Sequence, residues 1–483
     1  MNVAKNALYN ILGFAVPIAL SLLTVPMYLH SIGQERYGVL SISWLFMGYF
    51  GLFDFGLGRA VTHRLSSLVN IDNTKRSEIF FSAMAVSLTL SIVGSAILYF
   101  IGNFFFGYQL KVDESLRREI ISAIPLLALA VPVATSSGIL LGTLQSQQRF
   151  FVGNIISASS TIAFQLFPLI VAWIYGPNLF LLLGSGLAAR VVGIAGLAIA
   201  VSTDLAPPAK VNFSECRRLI KYGGWVAITS VIGPILMITD RFFIGATLGA
   251  AAVAAYTIPA QLADRIQTIP QAVVGALFPA LSASDKEAAD RLIDDAFRSM
   301  ISLLTLPITL AIFLLPWLLH LWLGDDVPRD SGLIGQILVI GYWANASAFI
   351  SYAWLQAMGR PDLVTKALAF EIPIYLILLW LSLRYFGLAG AAAALSVRYI
   401  IDLLVLSRLG HLNSYPITSI SIFIIMFISL SLSEQVEFAS LLWYSLAIGC
   451  CGAAAIFSWI FAPRSGRQFV KNRLKRSLDR MGP

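Results

Sequence analysis

Polar side chains line one face of an apolar stretch between residues 256 and 281. On a helical projection they recur every three or four residues and form a single stripe. The stripe consists of Thr257, Gln261, Asp264, Thr268 and Gln271, and Arg265 borders it. Because the bilayer core contains no water, such a stripe must face a protein interior or a water-filled cavity. An arginine at this depth costs roughly 2.5–3.5 kcal/mol on insertion scales unless another group compensates its charge.

Two interpretations of Asp264 and Arg265 are open. In the first, the two side chains form a neutral structural pair. In the second, the stripe is the wall of a cavity that binds an anionic substrate. A guanidinium group suits the second role, because it binds phosphate oxygens through two parallel hydrogen bonds and cannot lose its proton.

Further arginines within or at the ends of apolar stretches are candidates for binding the same anion, and they are Arg59, Arg190, Arg241 and Arg398. Every charge inside a membrane is costly, so each needs a partner or a function. Arg190 has no charged neighbour in the sequence and joins Arg265 as a main candidate. Structural alternatives exist for two others. Arg398 can pair with Asp402 four residues later, and Arg241 with Asp240 can extend to the membrane interface.

Carboxyl groups in the same stretches are candidates for binding a proton or a cation, and they are Asp54, Asp240, Asp264 and Glu371. Glu371 lies near the middle of its stretch and has no adjacent cation. Desolvation disfavours the charged form of a carboxyl group, so Glu371 can take up a proton near neutral pH. The alternative is a lone buried carboxyl group that is hydrogen-bonded to its own helix.

Enzymatic chemistry finds little support in the sequence. The four histidines, which are His30, His63, His320 and His411, are scattered near the ends of apolar stretches. They therefore indicate neither a metal site nor a catalytic triad. There is no glycine-rich phosphate-binding loop with its lysine, so we expect no nucleotide cofactor. The polar loops are also too short to hold the core of an enzyme domain.

Composition identifies the class of protein. Of 483 residues, 58% are hydrophobic and only 12% are charged, whereas a soluble protein carries about 25% charged residues. We therefore expect an all-α polytopic membrane protein. The net charge of +8 is concentrated in the tail after Phe461, which predicts a cytoplasmic anchor to anionic membrane lipids and not a nucleic-acid site.

Apolar runs of roughly 18–25 residues predict about 14 membrane spans. They lie near residues 8–29, 37–58, 79–102, 119–142, 151–175, 179–202, 222–245, 252–281, 297–323, 333–357, 363–385, 387–408, 416–433 and 439–461. If the N-terminus is cytoplasmic, 23 of the 33 lysines and arginines fall on the inner side and 6 on the outer side. Because basic loops stay in the cytoplasm, this predicts that both termini are cytoplasmic.

The loops and a weak internal repeat predict the domain organisation. Ile32-Gly33 and Leu248-Gly249 stand 216 residues apart, each after an apolar span with a central proline. Repeats of six spans are typical of alternating-access transporters. We expect a six-helix lobe at 1–202, a cytoplasmic linker at 203–221, a second six-helix lobe at 222–408, two additional helices at 409–461 and a basic tail at 462–483, with the two lobes around a central cavity.

Five short motifs resemble those of the Wzx-type polysaccharide flippases, a group within the superfamily that also contains MATE exporters and lipid II flippases. They are residues 5–7 (KNA), 32–38 (IGQERYG), 54–62 (DFGLGRAVT), 239–245 (TDRFFIG) and 356–361 (QAMGRP). Together they cover the first twelve predicted spans in the family's order. The last two spans depart from the twelve-span pattern common in the group, although lipid II flippases have fourteen.

The resemblance implies a carrier of lipid-linked oligosaccharide in the bacterial inner membrane. Its substrate would be an undecaprenyl-pyrophosphate sugar unit, moved to the outer leaflet for assembly of O-antigen, capsule or exopolysaccharide. Asp54 and Arg59 match the second-span motif, and Arg265 lies where the family has a basic residue facing the cavity. On this hypothesis Arg265 and Arg190 hold the pyrophosphate, while Glu371 or Asp240 couples movement to protons or sodium.

The same hypothesis assigns Gln261, Thr268 and Gln271 to the sugar hydroxyls. Membrane lipids and the polysaccharide polymerase machinery are the further partners that it implies. A MATE-like exporter of cationic drugs is the main alternative, but it would require an acidic cavity and not arginines. A membrane-embedded polymerase or ligase would require a large outer loop, and a structural scaffold would not account for so many intramembrane charges.

Overall fold

The fold is described from a computed structural model, which describes residues 3–49, 56–66, 73–203, 205, 211–283, 286–328, 330–410, 412, 414–436, 438–463 and 467. The α-helices in this part of the chain are α1 (Val3–Tyr49), α2 (Leu57–Ser66), α3 (Asn73–Phe104), α4 (Glu114–Ser146), α5 (Phe150–Tyr175), α6 (Leu179–Ser202), α7 (Phe213–Leu248), α8 (Ala250–Asp264), α9 (Thr268–Ala283), α10 (Lys286–Leu323), α11 (Ser331–Ala357), α12 (Pro361–Leu409), α13 (Ser414–Gln435) and α14 (Leu441–Phe461). A π-helical turn, Phe105–Gln109, follows α3, and 3₁₀ turns lie at Arg265–Gln267 and Gly324–Asp326.

Eight of the helices among the described residues are long and apolar enough to cross a membrane. Many large hydrophobic side chains on them point away from the protein interior, and examples are Ile92, Phe100, Val192, Ile199 and Phe370, each at least 68% exposed. Such side chains would be unfavourable in water but suit the hydrocarbon of a bilayer. The chain is therefore an all-helical, multi-pass membrane protein, as its composition predicts.

Helix α1 contains two antiparallel segments that meet at Gly33. The ring centroids of Tyr28 and Trp44 lie 5.3 Å apart, whereas sixteen residues of straight helix would separate them by about 24 Å. Gly33 has φ 76° and ψ 166°, a conformation that is essentially restricted to glycine. This single residue thus separates the first two predicted spans.

Helix α12 reverses in the same way at Gly387, where φ is 58° and ψ is −140°. Val364 and Leu406 belong to one buried cluster, although a straight helix would hold them about 63 Å apart. The predicted spans at 363–385 and 387–408 are therefore the two arms of one hairpin.

Glycine turns of this kind recur at equivalent places along the chain. Gly33, Gly176, Gly249 and Gly387 all have φ between 58° and 92°, and each separates two long helical segments. The first and third stand 216 residues apart, the second and fourth 211 residues. The turns follow the first, fifth, seventh and eleventh predicted spans, and the six-span repeat itself stays a prediction.

The described residues form two compact units, residues 1–254 and 255–483. Helix α7 belongs to the first unit through contacts at both of its ends. At one end Arg64 binds Glu215 through two hydrogen bonds of 2.8 and 3.0 Å, and at the other Lys111 Nζ donates to the carbonyl of Thr247 at 2.6 Å. The lobe boundaries at 202 and 222 come from the loops of the sequence and stay a prediction.

Candidate functional site

The first unit contains a cavity of about 280 Å³ between α1, α4, α5 and α6, and Arg190 lies in its wall. The guanidinium carbon of Arg190 is 4.6 Å from the centre of the Phe164 ring. A cation over an aromatic face gains about 0.5–2 kcal/mol, with the larger values for desolvated pairs. Within the described part of the chain, no carboxylate forms an ion pair with Arg190. Its charge is therefore held in place by an aromatic ring and stays available to an anion.

Hydroxyl groups share this cavity with Arg190, and they belong to Ser137, Ser157, Ser160 and Thr161. Three of them donate to carbonyl groups, namely Ser137 to Ala134, Thr161 to Ser157 and Ser160 to Ala189, at 2.7, 2.9 and 3.4 Å. Their oxygen atoms can still accept hydrogen bonds. The cavity thus combines a positive charge with acceptors, which suits an anionic group bearing hydroxyls.

Close packing of α5 against α6 positions the Arg190–Phe164 pair. A Cβ atom at Gly193 would collide with the Ser160 side chain, so only glycine permits the two helices to approach this closely. Arg190 lies one helical turn before Gly193 and is consequently brought next to α5.

The second unit holds a buried charged cluster on the two arms of α12. Glu371 is 2% exposed, and both Arg398 and Asp402 are 8% exposed. The three groups lie close enough to interact electrostatically. Neither carboxylate oxygen of Glu371 has a hydrogen-bond partner among the described residues. A buried group without a partner carries a desolvation cost of about 1–3 kcal/mol, and more if it is charged.

Arg398 does not make the ion pair with Asp402 that their spacing allows. Among the described residues, its guanidinium carbon lies instead 5.3 Å from the Tyr375 ring and 5.6 Å from the Tyr399 ring. Glu371 and Arg398 also border a small cavity of about 10 Å³, close to the minimum of roughly 10–15 Å³ that one water needs. The size of this cavity suits a proton, a water molecule or a small ion.

Both units therefore hold an arginine against an aromatic ring in matching positions. Phe164 and Tyr375 each precede the turn glycine of their hairpin by twelve residues, while Arg190 and Arg398 follow it by fourteen and eleven. The surroundings differ. Arg190 lines a cavity of about 280 Å³, whereas Arg398 is 8% exposed and lies near the carboxyl groups of Glu371 and Asp402. The sequence names the arginines, but it does not reveal Phe164 and Tyr375 as their aromatic partners, because each of these two pairs joins residues more than twenty positions apart.

The predicted polar stripe does not lie on one regular helix. The 3₁₀ turn Arg265–Gln267 separates α8 from α9, so the helical projection does not hold across it. Thr257 is buried, Gln261, Asp264 and Arg265 are partly exposed, and Thr268 and Gln271 are exposed. Gln267, outside the stripe, is buried and donates to the Tyr342 carbonyl at 3.4 Å.

The remaining predicted residues lie elsewhere in the first unit. Asp240 is 1% exposed and accepts hydrogen bonds from the Arg241 backbone at 2.8 Å and from its guanidinium at 3.3 Å. The two side chains are therefore paired with each other in the protein interior, where Arg241 is 13% exposed. Arg59 lies on α2, but its side chain is outside the described part of the structure, and Asp54 lies outside the described residues.

Comparisons with known proteins agree with this architecture. The chain is 28% identical over 417 residues to "Putative O-antigen transporter" of Shigella flexneri, covering 85% of this chain and 98% of that protein. It is 23% identical to "Probable low-salt glycan biosynthesis flippase Agl15" of Haloferax volcanii, covering 83% and 82%. These relatives are named as a transporter and a flippase and not as enzymes, as the sequence predicts.

Solved structures with the same fold include the lipid II flippase MurJ in an inward closed conformation, with a TM-score of 0.70, 14% identity and coverage of 94% of this chain and 98% of that chain. An inward-facing multidrug resistance MATE transporter gives a TM-score of 0.67 at 13% identity, covering 83% and 97%. The family model described as "Polysaccharide biosynthesis protein" matches residues 3–285, more than half of the chain. The chain therefore belongs to the polysaccharide biosynthesis protein family, which confirms the resemblance seen in its motifs.

Proposed function

We propose that the protein is a flippase that moves undecaprenyl-pyrophosphate-linked oligosaccharide from the inner to the outer leaflet of the cytoplasmic membrane. The observation that carries this proposal is the position of Arg190, which lines a 280 Å³ cavity and has no ion-pair partner among the described residues. A fixed guanidinium in a site of low dielectric constant stabilises a pyrophosphate strongly. The names of the two relatives support a glycan as cargo.

The hydroxyl groups of Ser157, Ser160 and Thr161 support the same substrate class. A lipid-linked sugar unit presents phosphate oxygens and hydroxyl groups side by side, and this cavity offers a cation and acceptors side by side. Arg265, Gln261, Thr268 and Gln271 extend the substrate path in this proposal, as do Arg59 and Arg241. Binding by few arginines leaves the substrate able to dissociate.

Ion coupling is assigned to Glu371, with Arg398 and Asp402 as its charged neighbours. A carboxyl group that lacks hydrogen-bond partners changes its interaction energy strongly when it binds a proton or cation. Because Glu371 and Arg398 lie on opposite arms of α12, neutralising one would alter the packing of the arms. Alternating access between two six-helix lobes would follow from this change. Asp54, Asp240 and Asp264 are the further candidates for ion coupling.

Complementation of a deletion strain of the source organism tests this function. Wild type, Arg190→Ala and Arg190→Lys are supplied in trans, and surface polysaccharide and lipid-linked precursor are measured. We expect the deletion to trap precursor in the inner leaflet and Arg190→Ala to lower transport roughly tenfold or more, since hydrogen bonds to charged groups contribute about 1.5–3 kcal/mol. Lysine should restore part of the activity, because it keeps the charge without the bidentate geometry.

The matched control is Arg384→Ala. Arg384 also lies over an aromatic ring, 5.7 Å from Trp380, but its side chain is exposed on the protein surface. Normal surface polysaccharide and no trapped precursor in the deletion strain would contradict the proposal. Increased sensitivity of that strain to cationic drugs would then favour a MATE-like exporter.

A further inference from the structure

A second sizeable cavity lies in the unit of residues 255–483, away from the Glu371 cluster. It has a volume of about 340 Å³ and lies where α10 and α13 end and where α11 and α14 begin. Ligand sites in proteins have volumes of roughly 300–1,000 Å³. The basic-residue distribution predicts that this end of the four helices faces the outer side of the membrane.

Aromatic rings form the walls of this outer pocket. Trp443 and Phe313 make its buried floor, with ring centroids 5.9 Å apart and exposures of 6% and 2%. Trp317 and Phe438 stand at its rim, where their rings are nearly parallel, with an angle of 14° between them. Two of these four rings come from α14 and the segment before it, so the pocket exists only because of the last two helices.

Polar groups also line the pocket, and they belong to His320, Gln336, Ser433 and Glu434. Gln336 is 1% exposed and donates from Nε2 to the Ile312 carbonyl at 2.6 Å and to Ser433 Oγ at 3.1 Å. Its Oε1 has no hydrogen-bond partner among the described residues. A buried acceptor of this kind needs a donor, which a ligand hydroxyl or a water can supply.

We propose that the outer pocket binds a sugar residue of the transported glycan, an inference that rests on the proposed function and gives it a second substrate site. The apolar C–H face of a sugar ring packs on an indole, while its hydroxyls donate to Glu434 and Gln336 and exchange hydrogen bonds with His320. The Arg190 cavity would bind the pyrophosphate, whereas this pocket contains no arginine or lysine and suits a neutral sugar. A hydrocarbon chain would leave the carboxylate and the amide oxygen without partners, so the polar groups favour a glycan over a lipid tail.

Binding of the free glycan tests the pocket separately from transport. The glycan is released by mild acid from the precursor that the deletion strain accumulates, labelled at its reducing end and titrated into the full-length protein in detergent. We expect Trp317→Ala and Glu434→Gln each to weaken binding about tenfold, the loss typical of a residue that dominates an interface. Trp317→Phe should retain most of the affinity because it keeps the aromatic face.

The control variant is Trp459→Ala. Trp459 is 42% exposed, the same fraction as Trp317. It lies on α14, as Trp443 of the pocket does, but near the opposite end of that helix. Equal glycan affinity of wild type and Trp317→Ala would overturn the proposal, as would displacement of the glycan by decane at an unchanged detergent concentration. If the deletion strain accumulates no precursor, the proposed function fails; if precursor accumulates and its glycan does not bind, only the pocket assignment fails.

Discussion

The guanidinium carbon of Arg190 lies 4.6 Å from the centre of the Phe164 ring, in the wall of an open cavity. The ring fixes the arginine without neutralising it, as a carboxylate would. This relationship supplies what transport of an anion across a membrane requires, which is a positive charge that is oriented and still available.

We expect Phe164→Leu to lower the transport rate about two- to thirtyfold. Leucine fills much of the space but removes the electron-rich ring face, a contribution of about 0.5–2 kcal/mol. Phe164→Tyr should transport normally. Precursor accumulation and surface polysaccharide in the complemented deletion strain provide the measurement. Equal transport by the leucine and tyrosine variants would show that the ring only fills space.

Substitution of Glu371 should separate ion coupling from folding. Glutamine resembles the protonated carboxyl group, so Glu371→Gln should fold normally. Its transport rate should respond at least about fivefold less to a proton or sodium gradient than that of wild type, because the glutamine side chain cannot bind or release a proton. Transport into vesicles with and without an imposed gradient measures this response. Glu114→Gln, an exposed residue at the start of α4, is the matched control. An unchanged gradient response would exclude Glu371 as the coupling residue.

The Arg64–Glu215 pair should make stability depend on pH. Hydrogen bonding to Arg64 is the main reason that the pKa of Glu215 lies below its ordinary value of 4.5, and the nearby Arg218 and Lys75 add to the effect. A lowered folded-state pKa stabilises the protein above the unfolded value, and this stabilisation is lost as the pH falls through the folded pKa. We therefore expect Glu215→Gln to lower the thermal midpoint at pH 7 and to differ less from wild type below about pH 4.5.

Arg64→Ala should lower the free energy of unfolding by about 3 kcal/mol or less. Truncating one partner of a fully buried pair costs about 3–5 kcal/mol, but 25% of the Arg64 side chain is exposed. Thermal unfolding in detergent, followed at several pH values, measures both variants. Glu287→Gln is the control, because Glu287 pairs with Arg291 while both side chains are at least 79% exposed, and such pairs contribute at most about 1 kcal/mol. A pH-independent loss in Glu215→Gln would contradict the linkage.

Alanine at Gly387 should strain the hairpin of α12. A Cβ atom there would meet nothing within 4 Å, so the cost arises from the backbone conformation alone and should be about 1–3 kcal/mol. Gly449→Ala, on α14 and equally free of contacts, should instead be neutral or stabilise by up to about 1 kcal/mol. A thermal midpoint for Gly387→Ala that equals the one for Gly449→Ala would disprove this account of the turn.

The sequence alone determines the membrane class, the family and the long apolar helices. Long apolar runs can only be helices in a bilayer, because every backbone polar group must be paired within its own segment. Intramembrane charges are also visible in the sequence, because each is costly in hydrocarbon and therefore rare. This is why Arg190, Glu371 and Arg398 could be named before any contact was known.

The tertiary structure alone decides the partners of these charges. Phe164 approaches Arg190, and Glu371 approaches Arg398, because glycine turns at Gly176 and Gly387 fold two helices side by side. A helical projection relates residues within about one turn of each other and contains no information on such antiparallel neighbours. A helical projection also assumes one regular helix, so it predicts a single polar stripe. The 3₁₀ turn at Arg265 instead changes the direction of the side chains that follow it.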